Sequence, residues 1–390
     1  MKRFKKISLL LKKANPNTWA VVAIFLILIL LPVIYLKDKE NRVEKTNALG
    51  QTVPKEVMEI LNLEDETKQR ALIQSLLEKY GEEKTQELLK EAGLPFTGKT
   101  HFLIHEVGDF VFKKYADDAL PHCKDYFLSA CYHQVIINQI GAKGIEGVKK
   151  MINSCEPAGK NVYFQCAHAT GHGFLAYEDY DLPKALKLCD ELEQVDSFLA
   201  LPCHQGVFME NVWGVHRGGP IPIEENPWLS KTDYYYPCNK VDAKYALGCW
   251  GEQGTRIYQM VKGDIGKTSD QCDKVPENIY QKECFNNLAR QINSLTKGSV
   301  AKTVSLCSLV HQNWQDYCVR VNSTSFWSLG DYNTALAICP EVKEPSEQGK
   351  CYDSFISRLS SINLKLSEKQ ALCGKIEPQN YRDRCLARLN

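Results

Sequence analysis

Histidine is the residue whose placement raises a chemical question. Nine histidines occur in 390 residues, and eight of them lie between positions 101 and 216. His101, His105 and Asp109 run at i, i+4 and i+8, so they share one face of a helix. His168 and His172 repeat that spacing in "CAHATGHGFLAY". The segment from His105, "HEVGDFVFKKY", and the segment from His168, "HATGHGFLAY", both read H-x-x-G-[D/H]. Histidine also recurs just after a cysteine: "CYH" gives His133, "CAH" gives His168 and "CH" gives His204.

Imidazole and carboxylate side chains spaced in this way on facing helices suit zinc, iron or copper. The expected ligands are His105, Asp109, His133, His168, His172 and His204. Asp109, or Glu210 in "HQGVFMEN", would serve as ligand or general base if the centre does chemistry. The opposing reading is a hydrogen-bonded histidine network that fixes helical register without a ligand. Neither H-E-x-x-H nor C-x-x-C-H occurs, so no single spacing decides between them. Gly108 and Gly171 sit inside these apolar segments, where glycine costs about 1 kcal/mol relative to alanine. That cost points to close helix crossings beside the histidines.

A second pattern competes for the same stretch. "GLPFTGKT", Gly93 to Thr100, matches the phosphate-loop spacing G-x-x-x-x-G-K-[ST]. A working phosphate loop follows a buried strand, so that backbone amides converge at the start of the next helix. Here the preceding residues, "EEKTQELLKEA", favour helix, and Gly93-Leu94-Pro95 reads as a helix stop. We expect a turn and a new helix near Thr97 or Thr100, and no nucleotide.

What must position the histidines is visible in the cysteines. All 16 lie between 123 and 385 and fall into consecutive pairs: 123/131, 155/166, 189/203, 238/249, 272/284, 307/318, 339/351 and 373/385. An even number of cysteines outside the cytoplasm argues for disulfides, and neighbour pairing is the simplest arrangement. First cysteines follow one another at 32, 34, 49, 34, 35, 32 and 34 residues, which is an internal repeat. Asp181, Asp264, Ser299 and Asp331 each stand eight residues before a first cysteine and suit helix N-caps. "DLPKALKLC" and "DYNTALAIC" then read as two-turn helices ending at Cys189 and Cys339. Phe127, Tyr245, Tyr280, Trp314 and Tyr381 each lie four residues before a second cysteine, where a ring can cover the disulfide.

Each unit thus reads as a helical hairpin clipped across its turn, and each clip contributes about 2–3 kcal/mol by restricting the unfolded chain. Stacked hairpins bury a continuous core, giving an all-α solenoid. The unit "DDALPHCKDYFLSACYHQVIINQIGAKG" resembles the Sel1-like and tetratricopeptide-type helical repeats, in particular their cysteine-rich secreted form. The resemblance covers the architecture of roughly residues 115–390 and implies an interaction scaffold without catalytic residues. The long interval between Cys189 and Cys238 places an inserted loop at 213–237, rich in glycine, proline and tyrosine. Long inserted loops often carry function, here as a lid or recognition element over the histidines, and the equal alternative is a surface excursion held by its own aromatics.

The N-terminus sets the compartment. Residues 19–36, "WAVVAIFLILILLPVIYL", carry no charge and are long enough for a single transmembrane helix, with Trp19 and Tyr35 at its ends. Residues 1–18 hold six basic residues and no acid, which places them in the cytoplasm and residues 37–390 outside; a cleaved signal peptide is the rival, but its apolar region would be shorter and followed by small residues rather than "KDKENRVEK". The remainder carries 42 basic and 47 acidic residues, net −5, which does not suit nucleic-acid binding. Residues 37–96 read as a solvated helical spacer, 97–260 as the histidine-rich repeats and 261–390 as further clipped repeats. With the thiols consumed and no C-x-x-C, thiol chemistry is disfavoured. Two functions remain: an anchored extracytoplasmic protein with a histidine-lined metal site, or a scaffold binding an envelope protein or peptide on its concave face.

Overall fold

The computed structural model describes residues 45–46, 52–92, 94, 98–214, 216, 224–296, 298–328, 330–360, 362 and 364–389. The apolar run 19–36 lies outside them. Among the described residues no helix is long and apolar enough to cross a membrane. The chain divides into two compact units between Leu94 and Pro95.

In the first unit a two-residue antiparallel pair, Lys45–Thr46 with Thr52–Val53, precedes helix α1, Lys55–Asn62, and helix α2, Glu66–Glu91. This segment is not a solvated spacer. Val57 and Ile60 of α1 and Ile73, Leu76, Leu77 and Leu89 of α2 are buried. The Gln69 side chain donates to the Ile60 and Leu63 carbonyls at 3.0 and 2.8 Å, tying the two helices at their junction. Gly81 breaks α2 with φ +76°. The alternating charges had concealed this apolar face.

Helix is the only regular secondary structure among the described residues of the second unit, with turns and irregular chain between the helices, as at 224–242. Nine longer helices pack each on the next: α3 Gly98–Tyr115, α4 Ala130–Met151, α5 Lys160–Tyr177, α7 Ala200–Trp213, α8 Ala243–Met260, α10 Asn278–Thr296, α12 Gln315–Ser328, α14 Pro345–Leu359 and α16 Gln379–Leu389. Five short helices lie between them in sequence: α6 Leu182–Leu192, α9 Ile265–Cys272, α11 Val300–Cys307, α13 Tyr332–Ala337 and α15 Leu366–Gly374. The expected caps are in place. Asp181, Asp264, Ser299 and Asp331 each accept the backbone N–H three residues on.

All eight disulfides join neighbouring cysteines, with Cα separations of 5.4 to 6.6 Å, and no cysteine is free. Each clip joins the end of one segment to the first turns of the next long helix. Two helix ends differ from expectation. Helix α6 runs past Cys189 to Leu192, because "DEL" after the cysteine offers no stop. Helix α13 ends at Ala337, and Cys339 opens a 3₁₀ turn that carries Pro340 in its first positions.

The rings four residues before the second cysteines are used between repeats. Tyr245 meets His204, Tyr280 stacks on Trp250, Trp314 on Phe285 and Tyr381 on Tyr352, with centroids 4.4 to 6.1 Å apart. In each pair the partner is the residue directly after the preceding unit's second cysteine. This ladder sets the rotation of one unit on the next.

Candidate metal centre

Glycine lets the helices that carry the histidines approach closely. A Cβ on Gly108 of α3 would lie 2.7 Å from the Cys131 carbonyl of α4. Across α5 and α7 the fit is tighter. A Cβ on Gly171 would lie 2.0 Å from the Cys203 carbonyl, and one on Gly206 1.9 Å from the His168 carbonyl. Such contacts exclude any side chain, which answers why glycine stands in these helices despite its propensity cost.

These crossings bring six histidines together. His101 and His105 come from α3, His133 from α4, His168 and His172 from α5, and His216 from the inserted loop. His105, His133 and His172 are buried, and the other three are half-buried. Two groups of donors converge within this set: His101, His105 and His133, and His172, Glu210 and His216.

In the first group the three nitrogens are almost equidistant. His101 Nε2 lies 3.1 Å from His133 Nδ1, His105 Nε2 lies 3.2 Å from His101 Nε2, and His105 Nε2 lies 3.1 Å from His133 Nδ1. Hydrogen bonding cannot satisfy this triangle. His101 Nδ1 faces the Phe127 carbonyl at 2.7 Å, which only accepts, so Nδ1 carries the proton and a neutral His101 points a bare Nε2 inward. Desolvation pushes His101 down to about 4, so neutral is its resting state. If one of the other two nitrogens is protonated, one pair of bare lone pairs still faces across the triangle. If both are, two N–H groups collide. Every neutral arrangement leaves at least one repulsive contact, and a cation at the centre removes it.

The spacing fits such an ion. Zinc about 2.0–2.1 Å from each of three tetrahedral nitrogens holds them about 3.3 Å apart. Desolvation also holds His133 well below the usual histidine range, with neighbouring histidines adding to the effect. Iron and copper accept the same nitrogen set.

In the second group Glu210 organises its neighbours. This fully buried carboxylate takes the His172 Nδ1–H at 2.9 Å, the His216 Nδ1–H at 3.0 Å, the His216 backbone N–H at 3.0 Å and the Tyr180 hydroxyl at 2.5 Å. Burial alone would raise its pKa, but the His172 and His216 hydrogen bonds hold it well below the carboxylate range. A carboxylate that receives an Nδ1–H fixes the tautomer and leaves Nε2 bare, as behind metal-bound histidines. His172 Nε2 lies 3.2 Å from His168 Nε2, which also has Met209 Sδ at 3.4 Å.

The structure therefore brings together His105, His133, His168 and His172, with Glu210 behind them. It places two expected ligands elsewhere. Asp109 accepts from Gln134 at 3.0 Å and Asn138 at 2.7 Å, and belongs to neither convergent group. His204 Nε2 lies 3.1 Å from Asp190 Oδ1, in a cluster with Lys244 and Tyr245. The reason is register: His133 and His168 stand two residues after the cysteine, but His204 stands one after it, about 100° away around the helix. That position belongs to the aromatic ladder.

Two members escaped the sequence reading of the ligand set. His101 was marked by its i,i+4 relation to His105. His216 had no local pattern, but it is the histidine of the inserted loop and lies within the histidine-rich stretch. The loop is tied to α7 by Glu210 at one side and by Asn211, whose side chain donates to the Trp228 carbonyl at 3.2 Å, at the other.

The sequence upstream of Gly93 is helix α2, not the strand a phosphate loop follows. No family model, curated protein or solved structure matches this chain. The resemblance to Sel1-like and tetratricopeptide-type repeats expected from the sequence finds no match in these comparisons.

Proposed function

We propose that this is a metal-binding protein whose primary ion is held by His101 Nε2, His105 Nε2 and His133 Nδ1. The supporting observation is the triangle of three imidazole nitrogens, 3.1 to 3.2 Å on each side, which hydrogen bonds leave frustrated. Zinc, copper and iron are the candidate ions, in keeping with an all-nitrogen donor set. The convergent group offers three donors, the number found where a zinc ion keeps a position for water or substrate. Glu210, engaged by two histidines and a tyrosine, acts as a positioning group for the imidazoles. The eight disulfides suit an oxidising compartment, so the repeats work outside the cytoplasm, anchored through residues 19–36.

Elemental analysis of the full-length chain, purified with its disulfides formed, tests this reading. At least one equivalent of a transition metal is expected, lost in His101→Ala/His105→Ala. A metal-free protein that stays so after reloading with each ion would sink it, and leave the histidines as the polar network of an interaction scaffold.

A further inference from the structure

Among the described residues three buried nitrogens of the histidine cluster lack a hydrogen-bond partner: His133 Nε2, His168 Nδ1 and His216 Nε2. A buried polar atom left unpaired costs about 1–3 kcal/mol. For His133 and His216 the opposite nitrogen is already engaged, by the triangle and by Glu210. His168 is the ring whose tautomer is still open.

His168 Nε2 faces two groups with lone pairs. His172 Nε2 is 3.2 Å away and Met209 Sδ is 3.4 Å away. Glu210 takes the His172 Nδ1–H at 2.9 Å, so His172 Nε2 is bare. Desolvation holds both rings below the usual histidine range, so both are neutral. If His168 carries its proton on Nε2, it bonds His172 and leaves Nδ1 a bare, buried acceptor. The Pro202 carbonyl stabilises a proton on this ring, and a carbonyl has no hydrogen to offer in return. If the proton sits on Nδ1, two bare nitrogens and a thioether meet. A cation resolves that second arrangement and leaves the Nδ1 proton to the Pro202 carbonyl.

The chemistry of these donors differs from that of the triangle. Two imidazoles and a thioether carry no charge, and a thioether is a soft ligand suited to copper(I). A singly charged ion also costs least to bury here, because Glu210 behind His172 supplies one compensating charge. The separations fit. Bonds of about 2.0 Å to nitrogen and about 2.3 Å to sulfur, as for zinc, at tetrahedral angles hold two nitrogens about 3.3 Å apart and nitrogen and sulfur about 3.5 Å apart. Met209 stands one residue before Glu210 on α7, and its flexible arm can close the set.

We propose that His168 Nε2, His172 Nε2 and Met209 Sδ form a copper(I) site. It shares no donor with His101, His105 and His133. The protein thus carries an all-nitrogen site and a softer site side by side, with the His133 and His172 rings 5.0 Å apart. The two sites stand or fall separately.

The test fills the full-length, disulfide-bonded chain with zinc and then offers copper(I) under anaerobic conditions. Metal content and the copper X-ray absorption spectrum are read. About one equivalent of copper is expected, with sulfur in its first shell. No cysteine is free, so that sulfur belongs to methionine. Met209→Leu, close in volume, should lose the sulfur shell and weaken copper(I) at least about tenfold against a competing chelator. His168→Gln should lose copper and keep zinc. His101→Gln/His105→Gln should lose zinc and keep copper with its sulfur, and circular dichroism checks that each variant is folded. Copper bound through nitrogen alone, a sulfur shell unchanged in Met209→Leu, or no copper uptake overturns the proposal. Copper with its sulfur shell in a chain that takes up no zinc overturns the triangle and leaves this site standing.

Discussion

Helices α3 to α7 and helices α8 to α16 are built on one plan and filled differently. Both regions carry the same disulfide clips, and the capped short helix α6 of the first has counterparts in α9, α11 and α13 of the second. Two residues after the second cysteine the early units have His133 and His168, while later ones have Asn286, Arg320 and Asp353. Several polar side chains buried in the later region close into complementary bonds, although Glu252 Oε2 and Arg256 Nε of α8 lack a hydrogen-bond partner. Asn287 donates to the Gly251 carbonyl at 2.9 Å and accepts from Thr255 at 2.5 Å, and Gln291 donates to Thr255 at 2.9 Å. Asn322 donates to the Ala289 and Cys318 carbonyls at 3.2 and 3.0 Å. An amide carries both donor and acceptor and can finish such a ladder. In the early region like atoms meet instead. The repeat does not require histidine to stand up, so the early histidines answer to something the repeat does not contain.

The largest effect that would break this contrast is steric. Gly206→Ala drives a methyl into the His168 carbonyl, so we expect a loss of about 3 kcal/mol or more by chemical denaturation, with metal content falling alongside. Gly251→Ala is the paired case in the later region. Its Cβ meets nothing closer than 3.5 Å, so that variant should gain up to about 1 kcal/mol from helix propensity. Equal losses at both positions would erase the difference in crossing geometry.

Next in size is the response to pH in metal-free protein. Burial lowers His101 from 6.5 to about 4, and His133, His168 and His172 are lowered too. A depressed value means that the unfolded chain takes up protons first. Stability from these groups is present above pH 6.5 and lost as pH falls toward about 4. In α8 the sign reverses: burial pushes Glu252 up to about 7 from 4.5, so its contribution is lost as pH rises through about 7. Melting curves should show His101→Gln flattening the acid limb and Glu252→Gln flattening the neutral one. Identical profiles for both variants would contradict this assignment.

The smallest effect is a cap. Asp331→Ala removes the bond to the Thr334 N–H and should cost about 1 kcal/mol in thermal unfolding without changing metal content. A change in bound metal would mean that the later repeats act on the centre.

The parts of this fold written locally could be read from the chain. A cysteine pair eight to fourteen residues apart, or an aspartate eight residues before a cysteine, is complete within one unit. What depends on rotation about a helix was harder. Nothing within "CH" or "CAH" reveals that one residue of shift sends His204 to Asp190 and His168 to the centre. His216 depends on where a loop returns, which no period records. Asp109 shares a helix face with His105, yet Gln134 and Asn138 on the neighbouring helix claim it first.

The Gly171–Gly206 contact also bears on which ion the protein keeps. Backbone against backbone is the stiffest crossing a pair of helices can make, because no side chain lies between them to change rotamer. His168 and His172 ride on one side of that crossing and Glu210 on the other. Their nitrogens cannot spread to suit a larger guest. At the His101–His105–His133 triangle the same stiffness would come from the Gly108 crossing of α3 and α4, where a Cβ would lie 2.7 Å from the Cys131 carbonyl, so that selection by ionic radius, cadmium being disfavoured, comes from the main chain.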